Sequence, residues 1–255
     1  MLEVRNVSKS FFLETGIFLN KTSPRFACRN VNLRICSGEI IAIVGESGSG
    51  KSTLAKIITG LEKPDEGAVF IDGKPLAEFS REALASLVGI VFQNPYASLN
   101  PRLRVRTMLG EVIRHRRKNP SPPPEEFREL AGLLSVFSMD ETAAASGAGQ
   151  LSGGQSQRVA LARSFAMFPE YLILDEVTSS LDVSTSAAII SLLKRLNRKY
   201  KTSLLFITHD LVLAGLVAER IYVMKEGLIV EEGYTEEVFE YPKTEYVKML
   251  KAAMI

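Results

Sequence analysis

The sequence predicts an α/β fold interrupted by a mainly helical segment. Three observations carry that expectation. Short apolar runs alternate with helical patterns along the chain. One continuous apolar run, Glu39 to Val44, leads straight into a glycine-rich turn, as a buried strand leads into a helix. From Asn94 to about Pro169 the strand signals give way to helical periodicity, before strands resume at Tyr171.

Taken in order, Leu2 to Phe11 and Phe26 to Ile35 alternate apolar and polar residues, as half-buried strands do. The buried strand Glu39 to Val44 follows, with a helix from about Lys51. Val69 to Ile71 and Gly89 to Phe92 read as further strands. Arg102 to Lys118 and Glu125 to Phe137 carry helical periodicity. Between them, Asn119-Pro120-Ser121-Pro122-Pro123-Pro124 cannot continue a helix, because proline lacks the backbone N–H; an exposed connection is expected there. Ser152 and the glycines after it open a helix running to about Met167. Strands return at Tyr171 to Leu174 and Ser203 to Thr208, with a helix from Val183 to Tyr200 between them. Thr235 to Ile255 reads as a helical tail broken at Pro242. The expected organisation is a core of residues 1–93 and 169–235, a helical subdomain of 94–168, and a short tail of 236–255.

Composition narrows the partners. With 255 residues, 46% hydrophobic and 24% charged, the chain reads as an ordinary globular protein. Its 31 basic and 29 acidic side chains give a net charge of +2, so no nucleic-acid partner is expected. Cys28 and Cys36 have neither metal-type nor redox spacing and read as reduced core thiols. The start, Met1-Leu2-Glu3-Val4-Arg5, lacks the basic-then-apolar pattern of an export signal. No apolar run approaches the roughly 18 residues that cross a bilayer. Any membrane role is therefore expected to come through a partner chain.

The chemistry begins at Gly45-Glu46-Ser47-Gly48-Ser49-Gly50-Lys51-Ser52-Thr53. Two glycines separated by four residues and followed by Lys and Ser form a phosphate loop: backbone N–H groups turn inward around phosphate oxygens, and the next helix presents its positive end. Lys51 would reach the β- and γ-phosphates, Ser52 would ligate Mg²⁺, and Thr53 would touch the α-phosphate. Asp175 ends the apolar strand Tyr171-Leu172-Ile173-Leu174, where a carboxylate can hold Mg²⁺ directly or through water. Glu176 follows on the other side of the strand end and is the candidate general base. His209 ends Phe206-Ile207-Thr208 and can donate to the γ-phosphate from either ring nitrogen. Gln93 ends Val91-Phe92, where its amide can touch Mg²⁺ or the attacking water. Phe11 or Phe12 can stack on adenine; Phe11 is favoured because it closes Val7-Ser8-Lys9-Ser10-Phe11.

Leu151-Ser152-Gly153-Gly154-Gln155 opens a second helix with exposed N–H groups, but in a different lobe from the phosphate loop. An anion-binding helix start without its own phosphate implies a phosphate from a second subunit, hence a head-to-tail pair with two ATP molecules at the interface. Ser179-Ser180-Leu181-Asp182 lies between the acidic pair and the next helix, where Asp182 can couple the two sites.

This ordered set resembles the ATP-binding cassette (ABC) ATPases over essentially the whole chain, which implies a P-loop NTPase core with an inserted helical subdomain. Phe92-Gln93-Asn94-Pro95-Tyr96-Ala97-Ser98-Leu99-Asn100-Pro101-Arg102, Gly45-Glu46-Ser47-Gly48 and Leu181-Asp182-Val183-Ser184 look like the ATPases of oligopeptide, dipeptide and nickel importers. The stretch Thr15 to Ala27 is similar to the second of two non-identical ATPases in such importers. The resemblance implies ATP and Mg²⁺ as ligands and ATP hydrolysis as the activity. It also implies two permease chains docking near Gln93, a second ATPase, an extracytoplasmic substrate-binding protein, and a place on the cytoplasmic face of the inner membrane. Val177 stands where the family has proline, Ser146-Gly147-Ala148-Gly149 replaces a bulkier approach to the signature, and Tyr241-Pro242-Lys243-Thr244-Glu245-Tyr246 only partly resembles the peptide group's His-Pro-Tyr-Thr. The chain stops soon after, without the longer tail or cysteines of cluster-bearing relatives, so nickel, alone or chelated, stands nearly level with peptides as cargo. The competing class is a soluble ABC ATPase of DNA repair, translation or cluster assembly, with Arg102, Arg104, Arg106 and Arg114 to Lys118 as its basic patch. A binding subunit that does not hydrolyse is disfavoured by Glu176, His209 and the intact signature.

Overall fold

The computed structural model describes residues 1–12, 24–116 and 123–252, apart from the side chain of Ala97. The chain divides into two units, Met1–Leu84 with Ser203–Ile255, and Ala85–Thr202.

The first unit begins with β1 (Leu2–Phe11) and β2 (Arg25–Ile35), antiparallel from Leu2 opposite Ile35 to Phe11 opposite Arg25. Leu2, Val4 and Val7 are buried, and the register shifts beyond Val4, where Asn6 takes φ 51°. β3 (Ile40–Val44) is buried at every position and feeds α1 (Lys51–Ile58). β4 (Glu66–Ile71) and β5 (Lys74–Pro75) complete a four-stranded sheet ordered β2-β1-β4-β5. α2 (Arg81–Leu87) carries the chain into the second unit.

There β6 (Val88–Val91) precedes α3 (Pro95–Ser98) and α4 (Val105–Arg116). α4 starts later than Arg102 because Asn100 holds the preceding turn, its side-chain oxygen accepting from the Arg102 N–H at 3.0 Å. Residues 117–122, including part of the proline run and of the basic patch, lie outside the described residues. Pro123 is buried, contrary to the exposed connection expected. The single helix expected over Glu125 to Phe137 is instead a 3₁₀ turn (Glu125–Phe127) and α5 (Leu130–Val136), separated by extended Glu129. The two pieces fold tightly together: a β-carbon on Gly132 would stand 2.5 Å from the Glu126 carbonyl. α6 (Glu141–Ala145), a 3₁₀ turn (Ala148–Gln150), α7 (Gly153–Phe165), β7 (Tyr171–Asp175) and α8 (Val183–Tyr200) follow. β6 and β7 are parallel, Val91 opposite Leu174. Phe127, Phe137, Phe165, Phe168 and Tyr200 form an aromatic cluster with ring centroids 5.1 to 6.5 Å apart.

The chain returns to the first unit through β8 (Ser203–Thr208), α9 (Leu211–Val217), β9 (Arg220–Lys225), β10 (Leu228–Tyr234), α10 (Thr235–Glu240) and α11 (Glu245–Ala252). Here the strands run β10-β9-β3-β8, with β3 parallel to β8 and β9, and β9 antiparallel to β10. The tail does break around Pro242, between α10 and α11. Both cysteines are free, but only Cys28 is a core thiol, and burial pushes its pKa up to about 12. Cys36 is exposed because it lies just past the end of β2.

Candidate functional site

In the first unit, β3 delivers the glycine loop at the C-terminal edge of its sheet. Gly50 takes φ 110°, and a β-carbon there would stand 1.8 Å from the Ala27 carbonyl oxygen, so no other residue fits. Lys51 is buried, and its ammonium donates to the Gly45 and Glu46 carbonyls at 2.7 Å each and to Ser49 Oγ at 3.3 Å. The loop is also held from the β9–β10 turn, where the Gly227 N–H donates to Ser49 O at 2.9 Å. Ser47 and Gly48 face outward, as does Ser52, with Thr53 half-buried in the first turn of α1.

His209 reaches this edge by register. Thr208 pairs with Val44 in the parallel β3–β8 ladder, so His209 follows one strand as Gly45 follows the other. Asp210 then caps α9, accepting from the Leu213 N–H at 3.0 Å. Phe11 is 43% exposed at the end of β1, opposite Arg25, with Lys9 Nζ 5.4 Å from its ring centroid. Arg25 Nη2 lies over the loop, 3.2 Å from where a β-carbon on Gly48 would stand. That end of the β1–β2 pair therefore borders the phosphate loop. Phe12 is more exposed still, at 64%. Most of the stretch Thr15 to Ala27 lies outside the described residues.

The second unit brings together residues distant in sequence. The β6–β7 register aligns the strand ends, and Gln93 Nε2 donates to Glu176 Oε2 at 2.8 Å and to Ser179 Oγ at 3.4 Å. Ser179 Oγ in turn donates to the Glu176 carbonyl at 2.9 Å. Asp175 is buried as the last residue of β7, whereas Glu176 turns to φ 49° and stands half-buried. Ser179 was not among the residues expected here. Its signal was a hydroxyl three residues after Glu176, just past the strand end, where a turn returns it to that residue's backbone.

The signature forms the start of α7. Ser152 caps the helix in a reciprocal pair: its Oγ accepts from the Gln155 N–H at 3.3 Å, and Gln155 Oε1 accepts from the Ser152 N–H at 2.9 Å. Gly153 lies against Leu181, just before α8, and Gly154 against the start of that helix, where a β-carbon on it would come within 2.7 Å of Thr185 Cγ2. Asp182 caps α8, and the Ser184 hydroxyl, then the Thr185 N–H and hydroxyl, hold its carboxyl well below the usual carboxylate range. Tyr96 donates to the Leu151 carbonyl at 3.3 Å. A groove of about 600 Å³ opens in this unit, with Phe92, Val112 and Met167 in its lining and Glu111, His115 and Arg163 as its charged and titratable groups.

The tail contributes to the first unit's site. Tyr246 of α11 is buried, and its hydroxyl accepts from the Glu46 N–H at 3.3 Å. Burial raises the phenol's pKa, the Glu46 N–H opposes this, and the Glu46 carboxylate adds to the rise.

A glycine loop after a buried parallel strand, an acidic strand end and a helix-opening signature define a nucleotide-hydrolysing cassette. Residues 28–179 match the family model described as ABC transporter, which is more than half the chain. The nickel import ATP-binding protein NikE of Escherichia coli (strain K12) is 41% identical over 219 residues, 85% of this chain and 81% of that protein. The ABC transporter ATP-binding protein YejF of the same strain is 35% identical over 255 residues, 99% of this chain and 48% of that protein. The ATP-binding cassette MJ0796, solved as a dimer in a post-hydrolysis state bound to ADP and Pi, superposes with a TM-score of 0.76 at 34% identity, covering 92% of this chain and 99% of that one. CbiO1 from Clostridium perfringens, part of the cbiONQ transporter complex, gives a TM-score of 0.76 at 29% identity, with 100% and 98% covered. The chain belongs to the ABC transporter family of ATP-binding proteins. It is an ATPase subunit that binds ATP. Among the described residues, no helix is long and apolar enough to cross a membrane.

Proposed function

We propose that this chain drives an importer from the cytoplasmic face of the inner membrane, powering uptake of nickel, a nickel chelate or short peptides through two permease chains. The nickel importer ATPase to which it is 41% identical favours the metal. In this reading, residues 1–93 and 169–235 are the catalytic core, 94–168 the permease-facing subdomain and 236–255 a tail. The observation that carries the coupling is the Gln93–Glu176 hydrogen bond of 2.8 Å, because Gln93 follows Phe92, a lining residue of the 600 Å³ groove. An amphipathic cytoplasmic helix of a permease fits that groove, with Glu111, His115 and Arg163 meeting its polar side. A helix seated there would move Gln93 and with it the group that activates water.

Phe11 stacks on adenine in this proposal, Lys51 neutralises the β- and γ-phosphates, and Thr53 meets the α-phosphate. Glu176 takes the proton of the attacking water, while His209 donates to the γ-phosphate as charge develops there. Ser52, Asp175 and Gln93 are the oxygen donors for Mg²⁺. Hard oxygen donors fit that ion. When bound, Mg²⁺ neutralises charge on the β- and γ-phosphate oxygens. Ser152, Gly153, Gly154 and Gln155 present the positive end of α7 to ATP held by a second ATPase, this chain or a related one, and Asp182 couples the two sites. An extracytoplasmic binding protein delivers the cargo.

The test is affinity capture of the tagged chain from detergent-solubilised membranes, with mass spectrometry of what accompanies it. Two permease chains and a second cassette are expected, with nickel accumulation lost when the gene is deleted. Ribosomal, DNA-repair or cluster-assembly partners without a permease would overturn the proposal.

A further inference from the structure

The glycine loop is gripped from three directions within the first unit. The β9–β10 turn holds Ser49 through the Gly227 N–H at 2.9 Å, and Ala27 of β2 closes against Gly50. The third grip comes from the C-terminal tail. Tyr246 accepts from the Glu46 N–H at 3.3 Å, 200 residues away in sequence. The carbonyl of that same Glu46 accepts from Lys51 Nζ at 2.7 Å and from the Ser49 N–H at 3.2 Å. One peptide-bonded residue is thus held by the tyrosine at its nitrogen and bears the lysine at its oxygen.

The tail is itself fastened for this purpose. Glu231 of β10, only 7% exposed, accepts from the Lys243 N–H at 2.8 Å, the Thr244 N–H at 2.9 Å and the Thr244 hydroxyl at 2.7 Å. Thr244 Oγ1 then accepts from the Val247 N–H at 3.3 Å, which starts α11 at a set position. Tyr246 emerges from that first turn, with Lys225 Nζ 4.7 Å from its ring centroid. A tail needed only to cover apolar surface would not require a hydroxyl on the phosphate loop.

We propose that Tyr246 is a positioning residue for nucleotide binding: through the Glu46 peptide it sets where the Lys51 ammonium rests, making α11 a working part of the ATP site. The inference rests on the reading of Gly45 to Thr53 as the phosphate loop. Tyr246→Phe keeps the ring and removes the hydroxyl. The Glu46–Tyr246 bond is partly buried, so its loss should lower the melting temperature by no more than about 2–4 °C. One lost hydrogen bond of ordinary worth predicts a Kd for MgATP about two- to tenfold higher. ATP turnover at saturating nucleotide should stay within about twofold, so the effect falls on KM rather than kcat. Val247→Ala, at a fully buried neighbour, is the packing control and should lower the melting temperature without changing the Kd. An unchanged Kd in Tyr246→Phe, or an equal rise in Val247→Ala, overturns the inference. Lys51→Ala separates the two levels. If it also binds MgATP like the parent, the phosphate-loop reading fails; if it loses binding while Tyr246→Phe does not, only the tail's role fails.

Discussion

Replacing Glu176 by glutamine isolates its basicity from its packing. The amide keeps an oxygen where Glu176 Oε2 accepts from Gln93 Nε2 at 2.8 Å, so the bond persists without charge assistance. The difference between a charge-assisted and a neutral hydrogen bond is about 1 kcal/mol, discounted further because Glu176 is half-buried and partly solvated. For a chain of this length that shifts the melting temperature by roughly 2–4 °C at most. General-base assistance is worth about 10²- to 10⁴-fold, or roughly 3–5 kcal/mol of barrier, so the catalytic loss should far exceed the structural one. The assay is phosphate release by the assembled transporter, run beside MgATP binding to the purified chain. Turnover should fall at least about a hundredfold, binding should persist, and an ATP-bound pair should accumulate. Retention of more than about a tenth of the parent activity would refute the general-base role.

Other outcomes follow from the same geometry. Lys51→Ala, which removes the cation seated on the Gly45 and Glu46 carbonyls, should weaken MgATP binding itself, read by equilibrium titration. Gly154→Ala places a methyl 2.7 Å from Thr185 Cγ2 and should cost about 1–3 kcal/mol with reduced turnover. Adding Thr185→Ser removes that methyl but keeps the hydroxyl on Asp182, so the double variant should recover both; no recovery would mean another clash governs the glycine. Burial pushes the Glu231 carboxyl up, but the Lys243 N–H, then the Thr244 hydroxyl and N–H, lower it overall below the ordinary 4.5. Its stabilising effect is therefore complete above about that value and fades as pH falls through its lowered folded-state pKa. Melting curves of the parent and Glu231→Gln should be furthest apart near neutral pH and converge in acid.

How far the sequence could be read depended on whether a feature was local. β1, α8 and β8 begin and end where their patterns predicted, because burial on one face or on all sides dictates which residues are apolar. The β9–β10 hairpin was missed, although Glu226-Gly227 between two apolar stretches was its signal; both residues adopt positive φ, 49° and 84°, in the tight turn. The helix expected from Glu125 to Phe137 broke because Glu129 goes extended and packs one piece on the other, which periodicity does not register.

The sequence by itself determined the family. A glycine loop followed by Lys51, an apolar strand ending in Asp175 and Glu176, and the signature from Leu151 to Gln155 are each a run of consecutive residues. Motifs written in neighbouring residues can be read from one chain. Only the tertiary structure decided which distant groups meet. Parallel register between β6 and β7 set Gln93 on Glu176, 83 residues apart, and the approach of α7 to α8 set Gly154 against the Thr185 methyl. A buried carboxylate in β10 fastened the tail so that Tyr246 could reach Glu46. Such partners are chosen by register and close packing, which act between elements and leave little trace in the order of residues within any one of them.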